Sequence, residues 1–180
     1  RPKVERSFHI FYYLLSQTKL ASSLFLHPDP GHFAYLACSD ITPAAAAGSS
    51  FQRDFAYVWK SMELLGWAKS DKVLIFKILA AILLLGNVTF DSSAGDDSTA
   101  VPAPDAPLEA IASLLAIPTS SLLAALTTRT LGASLKVPLS PASAVLARDS
   151  LAKHLYARLF DFVVAAINDS LADDATFADT

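Results

Sequence analysis

The sequence predicts a mainly α-helical domain carrying one small β-hairpin, and three observations predict it. Apolar residues recur at three- and four-residue spacing in residues 5–17, 55–65 and 151–167, the repeat that gathers side chains on one face of a helix. From Ala142 to Leu171 the chain runs thirty residues without Gly or Pro, enough for a rod about 45 Å long. β-Favouring residues collect on both sides of Gly132 between Arg129 and Val137, a pattern for a hairpin.

Taken in order, the first helix has Phe8, Phe11, Tyr12 and Leu15 at i, i+3, i+4 and i+7, so one face is heavily aromatic. His27-Pro28-Asp29-Pro30-Gly31 breaks it with residues that fix φ or allow positive φ. The low-complexity run 44–50 suits a surface connection. Phe55, Val58, Met62 and Leu65 form the next helical stripe, which Gly66 ends. Ser70 is a candidate N-cap for an apolar run that stops at Gly86-Asn87, a pair tolerant of a left-handed C-cap. Residues 91–107 are rich in Ser, Gly, Asp and Pro and predict an exposed loop. Short helices are expected at 108–117 and 120–128, on either side of Pro118, with the hairpin at 129–138. Ser140-Pro141 pairs a capping hydroxyl with a proline at the first helical position, so a long helix is predicted over 141–171. Its two adjacent stripes are Leu151, Leu155, Leu159, Phe162, Ala166 and Ala152, Tyr156, Phe160, Val163, Ile167. So wide an apolar arc predicts packing on more than one side. Phe162 is accordingly expected to be enclosed, with Phe162→Ala costing about 3–5 kcal/mol.

Composition narrows the function classes. The 180 residues are 53% hydrophobic and 17% charged, with mean hydropathy +0.41, which argues against extensive disorder. Fourteen Lys+Arg against seventeen Asp+Glu, a net charge of −3, lack the basic footprint of a nucleic-acid binder. The single Cys38 forms no internal disulfide and fits a reducing, cytoplasmic setting. In the most apolar stretch, 73–90, Lys77 leaves only thirteen uncharged residues after it. These rise about 20 Å as a helix, too short to cross a membrane core of about 30 Å, so the chain is expected not to be transmembrane. The opening Arg1-Pro2-Lys3-Val4-Glu5 reads as the start of a piece of a longer protein.

Residue chemistry provides no catalytic or metal constellation. His27, His32 and Cys38 match no common zinc spacing, and His9 and His154 read as packing residues on apolar helices. Asp96-Asp97 lacks the rest of a calcium loop. There is no G-x-S-x-G elbow, and no G-x-x-x-x-G-K-[ST] sequence to cradle nucleotide phosphates. The chain is therefore expected to hold no catalytic, cofactor-binding or metal-binding residues of its own.

Three segments carry a resemblance. Glu5-Arg6-Ser7-Phe8-His9-Ile10-Phe11-Tyr12-Tyr13-Leu14-Leu15 resembles the E-R-N-F-H-I-F-Y-x-L-L stretch of myosin motor domains, with Ser7 in place of Asn. The run from Ile78 to Phe90 is similar to I-L-A-A-I-L-H-L-G-N-I-x-F, with Leu84 where His is common. Ala147-Arg148-Asp149-Ser150-Leu151-Ala152-Lys153, continuing to Ile167-Asn168, resembles A-R-D-A-L-A-K-x-x-Y-x-R-L-F-x-W-L-V-x-x-I-N, and with Pro138-Leu139-Ser140 ahead of it is most similar to class I myosins.

The resemblance implies a helical upper actin-binding subdomain inserted in a P-loop NTPase fold, and a parent that is a myosin ATPase of the actin cytoskeleton. It implies ATP and Mg bound in the parent motor, by a phosphate loop and switches outside this chain, so that the chain alone is expected to be inactive. Its implied partners are the actin filament and the remainder of the motor domain. Residues 91–107 fall at a variable surface loop near actin, and 129–138 at the actin-facing hairpin, so Arg129 and Lys136 are expected to meet an acidic filament surface. Many myosins carry an acidic or phosphorylatable residue sixteen positions before the Asp of A-R-D. Here that position is Ala133, and a shift of one residue would make Ser134 the candidate phosphorylation site. The alternative function is a free-standing helical protein-interaction module using its apolar faces.

Overall fold

The structure, a computed structural model, describes residues 8–37, 49–93, 96–132 and 135–178, with side chains as far as Ser170. The described elements run α1 (His9–Ser16), α2 (Thr18–Ser23), a 3-10 turn (Pro30–His32), α3 (Ser49–Leu64), α4 (Lys69–Gly86), β1 (Phe90–Ser93), β2 (Asp96–Pro102), α5 (Leu108–Leu115), α6 (Thr119–Thr127), β3 (Thr128–Leu131), β4 (Leu135–Pro138) and α7 (Pro141–Ala178). The expected run 44–50 falls largely outside the described residues, as does Cys38.

The fold is organised on α4. Ile75, Phe76 and every residue from Leu79 to Gly86 are buried, as expected of a helix apolar on all sides. It packs against α5 and α7, while α1 packs against α3 and α6 against α7. Phe76 stacks into an aromatic group with Phe55 and Trp59, at ring-centroid distances of 5.1 and 6.0 Å. Beside it Lys72 is buried, its Nζ 2.9 Å from Glu63 Oε1 and 4.4 Å from the centre of the Trp59 ring. The hydrogen bond from Lys72 holds the Glu63 carboxyl below its usual value. Tyr12 is also buried on α1, and its hydroxyl has no partner among the described residues. No single described helix is long and apolar enough to cross a membrane.

Several expectations are corrected. Phe8 precedes α1 rather than lying within it, and its exposed ring stacks on Tyr156 of α7 at 4.5 Å. α4 begins one residue before Ser70, with Ala68 as N-cap, and the Ser70 hydroxyl faces Asp71 instead. Asn87 ends α4 in right-handed geometry (φ −90°, ψ −2°), and its side chain bonds elsewhere: Oδ1 accepts from Ala34 N and Nδ2 donates to His32 O, each at 2.9 Å. The positive φ that ends a helix does occur at Gly66, at +77°.

Residues 91–107 are not wholly an exposed loop. β1 and β2 pair antiparallel from Phe90↔Pro102 to Ser93↔Asp96, with an irregularity between Ser92 and Ser93. Ala100 at the centre of β2 is buried and donates its N–H to Leu139 O at 2.7 Å. A Ser/Gly/Asp stretch serves a hairpin's turn as well as a loop, and Ala100 finds its extra partner 39 positions away in sequence.

On α7 only part of the predicted arc is covered. Ala144, Ala152 and Leu159 are buried, Leu151, Leu155, Tyr156 and Val163 are half-buried, and Phe160 and Phe162 are exposed. Phe162 is 57% exposed, touching Trp67 at a ring distance of 6.0 Å. The predicted enclosure of Phe162 is thus wrong for the described residues: α4 covers one side of α7, and the periodicity records apolar surface without naming its cover.

Candidate functional site

β3 and β4 follow α6 directly and lead into α7, pairing Thr128↔Pro138, Arg129↔Val137, Thr130↔Lys136 and Leu131↔Leu135. Side chains alternate along each strand and directly opposite residues share a face. Arg129, Leu131, Leu135 and Val137 therefore line one face of the ribbon, and Thr130 and Lys136 the other. Arg129 and Lys136 are both exposed, as expected, but the register puts them on opposite faces. Ala133 and Ser134 lie outside the described residues.

Leu131 and Leu135, 52% and 61% exposed, form an apolar cross-strand pair on the Arg129 face. Sequence reasoning chose the cations and missed these leucines. Alternation about Gly132 could have found them, since two exposed leucines flanking a turn are costly unless something covers them.

Leu139 joins the two hairpins. Its N–H donates to Thr127 O at 2.8 Å, and its carbonyl accepts from Ala100 N at 2.7 Å. The β3–β4 base is thereby hydrogen-bonded to the middle of β2. Near the β1–β2 turn, Asp96 accepts from Ser98 N, Ser98 Oγ and Thr99 Oγ1 at 2.8, 2.5 and 2.6 Å, bonds that hold its exposed carboxyl below the usual value.

Behind the hairpins lies a polar cluster made by the A-R-D segment. Tyr35 Oη donates to Asp149 Oδ1 at 2.6 Å, and Arg148 Nε and Nη2 reach the same oxygen at 2.8 and 2.7 Å. Arg148 Nη1 donates to Val88 O at 2.7 Å and Gly86 O at 3.4 Å. Gly86 has to be glycine here, because a Cβ would lie 2.8 Å from the Tyr35 ring. Burial, and then the bond to Asp149, raise the Tyr35 hydroxyl well above its ordinary value, so it remains a donor. For Asp149 burial works upward, but the bonds from Tyr35 and Arg148 and the charges of Arg148 and Lys153 outweigh it and hold the carboxyl below the usual range.

A carboxyl depressed by folding stabilises the fold above its unfolded value, about 3.9, and that contribution disappears as pH falls through the lower folded value. Asp149→Asn should therefore lower stability at neutral pH and flatten the acid limb of melting temperature against pH. An unchanged acid limb in the variant would contradict this assignment.

The candidate histidines form no centre. The His27 and His32 rings stack at 4.7 Å, and among the described residues no three His, Cys, Asp or Glu side chains are grouped to hold a metal.

Comparison with known proteins gives these elements a family. The model for the myosin head (motor domain) matches residues 1–179. Unconventional myosin-IXb of Rattus norvegicus is 36% identical over 174 residues, 94% of this chain and 9% of that protein. The myosin ID and IE heavy chains of Dictyostelium discoideum are 38% and 39% identical, over 94% and 93% of this chain and 16% and 18% of their own lengths. The likeness thus reaches beyond class I, and the chain spans less than a fifth of these relatives. With nearly every residue inside the family match, the chain belongs to the myosin head (motor domain) family.

Proposed function

We propose that this chain is part of an ATP-driven motor that moves on actin, and that it supplies the upper, helical part of the filament-binding region, inserted in a P-loop NTPase core. The observation that carries this reading is the β3–β4 hairpin, with Arg129, Leu131 and Leu135 on one exposed face and Lys136 on the other. A face with an apolar centre and a flanking cation suits an acidic protein surface: the leucines gain by losing water, and the cation steers and orients. Nucleotide and Mg would be held by other parts of the parent motor, whose setting would be the cytoplasmic actin cytoskeleton. The exposed Phe160 and Phe162 of α7 fit a helix that packs against the remainder of that motor domain. A free-standing interaction module is the less favoured reading, given the family match over residues 1–179.

Leu131→Ser with Leu135→Ser in the complete motor should weaken binding to filaments in a sedimentation assay roughly 30-fold, at about 1 kcal/mol per exposed leucine that loses its cover. Wild-type binding by the double variant would remove the hairpin from the interface. We also propose that the turn at Ala133 and Ser134 is where regulatory charge would act: Ala133 provides none, and phosphate on Ser134 would supply it. Ser134→Glu should then raise filament-activated ATP turnover at low salt, and identical activation curves would reject it.

A further inference from the structure

We propose that Arg148 is a positioning residue for filament binding, fixing the two hairpins to the long helix through the carbonyl groups where α4 gives way to β1. The inference rests on the hairpins being the filament-facing elements. Three stretches of chain meet at the Arg148–Asp149 pair: residues 86–88 between α4 and β1, whose Gly86 and Val88 carbonyls accept from the guanidinium, the segment carrying Tyr35, which donates to Asp149, and α7 itself. Gly86 is the last residue of α4, where a helix leaves carbonyls without internal partners and carries the negative end of its dipole. Val88 stands two residues before β1. One planar cation reaches both carbonyls on one edge and the Asp149 carboxylate on the other, a fork that an ammonium group lacks.

The orientation of that fork is itself held. Tyr35 donates to Asp149 Oδ1, and the Tyr35 ring lies against the Cβ-free Gly86. The Arg148 side chain is only 12% exposed, so its bonds compete little with water. From Val88 the tie runs into β1, across the β1–β2 pairing to Ala100, and by the Ala100–Leu139 bond to the base of β3–β4. Both hairpins are then held in one orientation before any partner arrives, which lowers the ordering cost of binding. Without the guanidinium, β1–β2 keeps its internal pairing and the Ala100–Leu139 bond but loses the side-chain tie from α7 to Val88.

The test uses the complete motor, with ATP turnover measured without filaments and against filament concentration. Arg148→Met should raise the half-saturating filament concentration roughly fivefold, while turnover without filaments changes less than about twofold. Arg148→Lys keeps the charge but not the fork, and should behave like Arg148→Met rather than restore binding. Hydrogen exchange should quicken in 90–102 and remain unchanged within α4. An unchanged half-saturating concentration in Arg148→Met, or full restoration by Arg148→Lys, would overturn the proposal.

Should Arg148→Met fail to fold, Tyr35→Phe carries the test, because it frees Asp149 while leaving the ring in place. It should raise the half-saturating concentration roughly twofold, and no change would overturn the inference. Reversing Arg129 and Lys136 separates the two levels. If that reversal weakens filament binding and Arg148→Met does not, the positioning role fails alone; if neither has an effect, the hairpin reading fails with it.

Discussion

Phe76→Ala should destabilise the isolated chain by about 3–5 kcal/mol, the range for truncating a large aromatic in a closed core. Phe76 is fully buried and in ring contact with Phe55 and Trp59, so the cavity left behind is walled by the rings of α3. Those rings also screen Lys72, whose Nζ lies over Trp59, so loosening them admits water to a buried ion pair. Phe162→Ala should cost no more than about 1 kcal/mol in the same chain, because the ring already faces solvent on most of its surface. Denaturant unfolding of both variants decides the matter, and comparable losses would contradict the burial described for α7. In the complete motor Phe162→Ala should cost more than it does in the isolated chain, since the outer face of α7 is proposed to be covered there.

Arg129→Glu with Lys136→Glu in the complete motor should weaken filament binding at low salt by roughly 30-fold or more. Each charge reversal, a lost exposed ion pair together with a screened like-charge contact, is worth about 1 kcal/mol. The sum of about 2 kcal/mol corresponds to that factor. Because the register separates the two cations, the single changes should be unequal. Arg129→Glu, on the face shared with Leu131 and Leu135, should account for the larger part. Sedimentation with filaments at two ionic strengths measures both the loss and its decline as salt screens the contact. Binding equal to wild type at low salt would mean that neither cation meets the filament.

Where an element is specified by its own residues, the sequence could be read directly. Ser140 caps α7 through Ser143 N at 3.4 Å, as a serine before a proline predicts. Gly66 ends its helix at positive φ, and 129–138 forms a hairpin about Gly132. What depends on a distant partner could not be read so. β2 is stabilised by Leu139, which local turn chemistry in 91–107 does not reveal. The faces of Arg129 and Lys136 follow from the cross-strand register, and a slip of one residue would bring both onto the same face. The stripes of α7 were legible as apolar, but their cover was not, which is why Phe162 was misjudged. Arg148 and Asp149 stood out only through family resemblance, because the partners that give them a role, Tyr35, Gly86 and Val88, lie at least 60 residues away in the chain.

The central claim is that the β3–β4 hairpin is the filament-contacting element of this chain, and hydrogen exchange on the complete motor tests it most directly. Both strands have outward edges or faces open to solvent, so their unpaired amides should exchange readily in the free motor. With nucleotide-free motor bound to filaments, the peptide covering 129–138 should gain protection, while α4, buried from Leu79 to Gly86, should remain as it was. Unchanged exchange in 129–138 on saturated filaments would contradict the account.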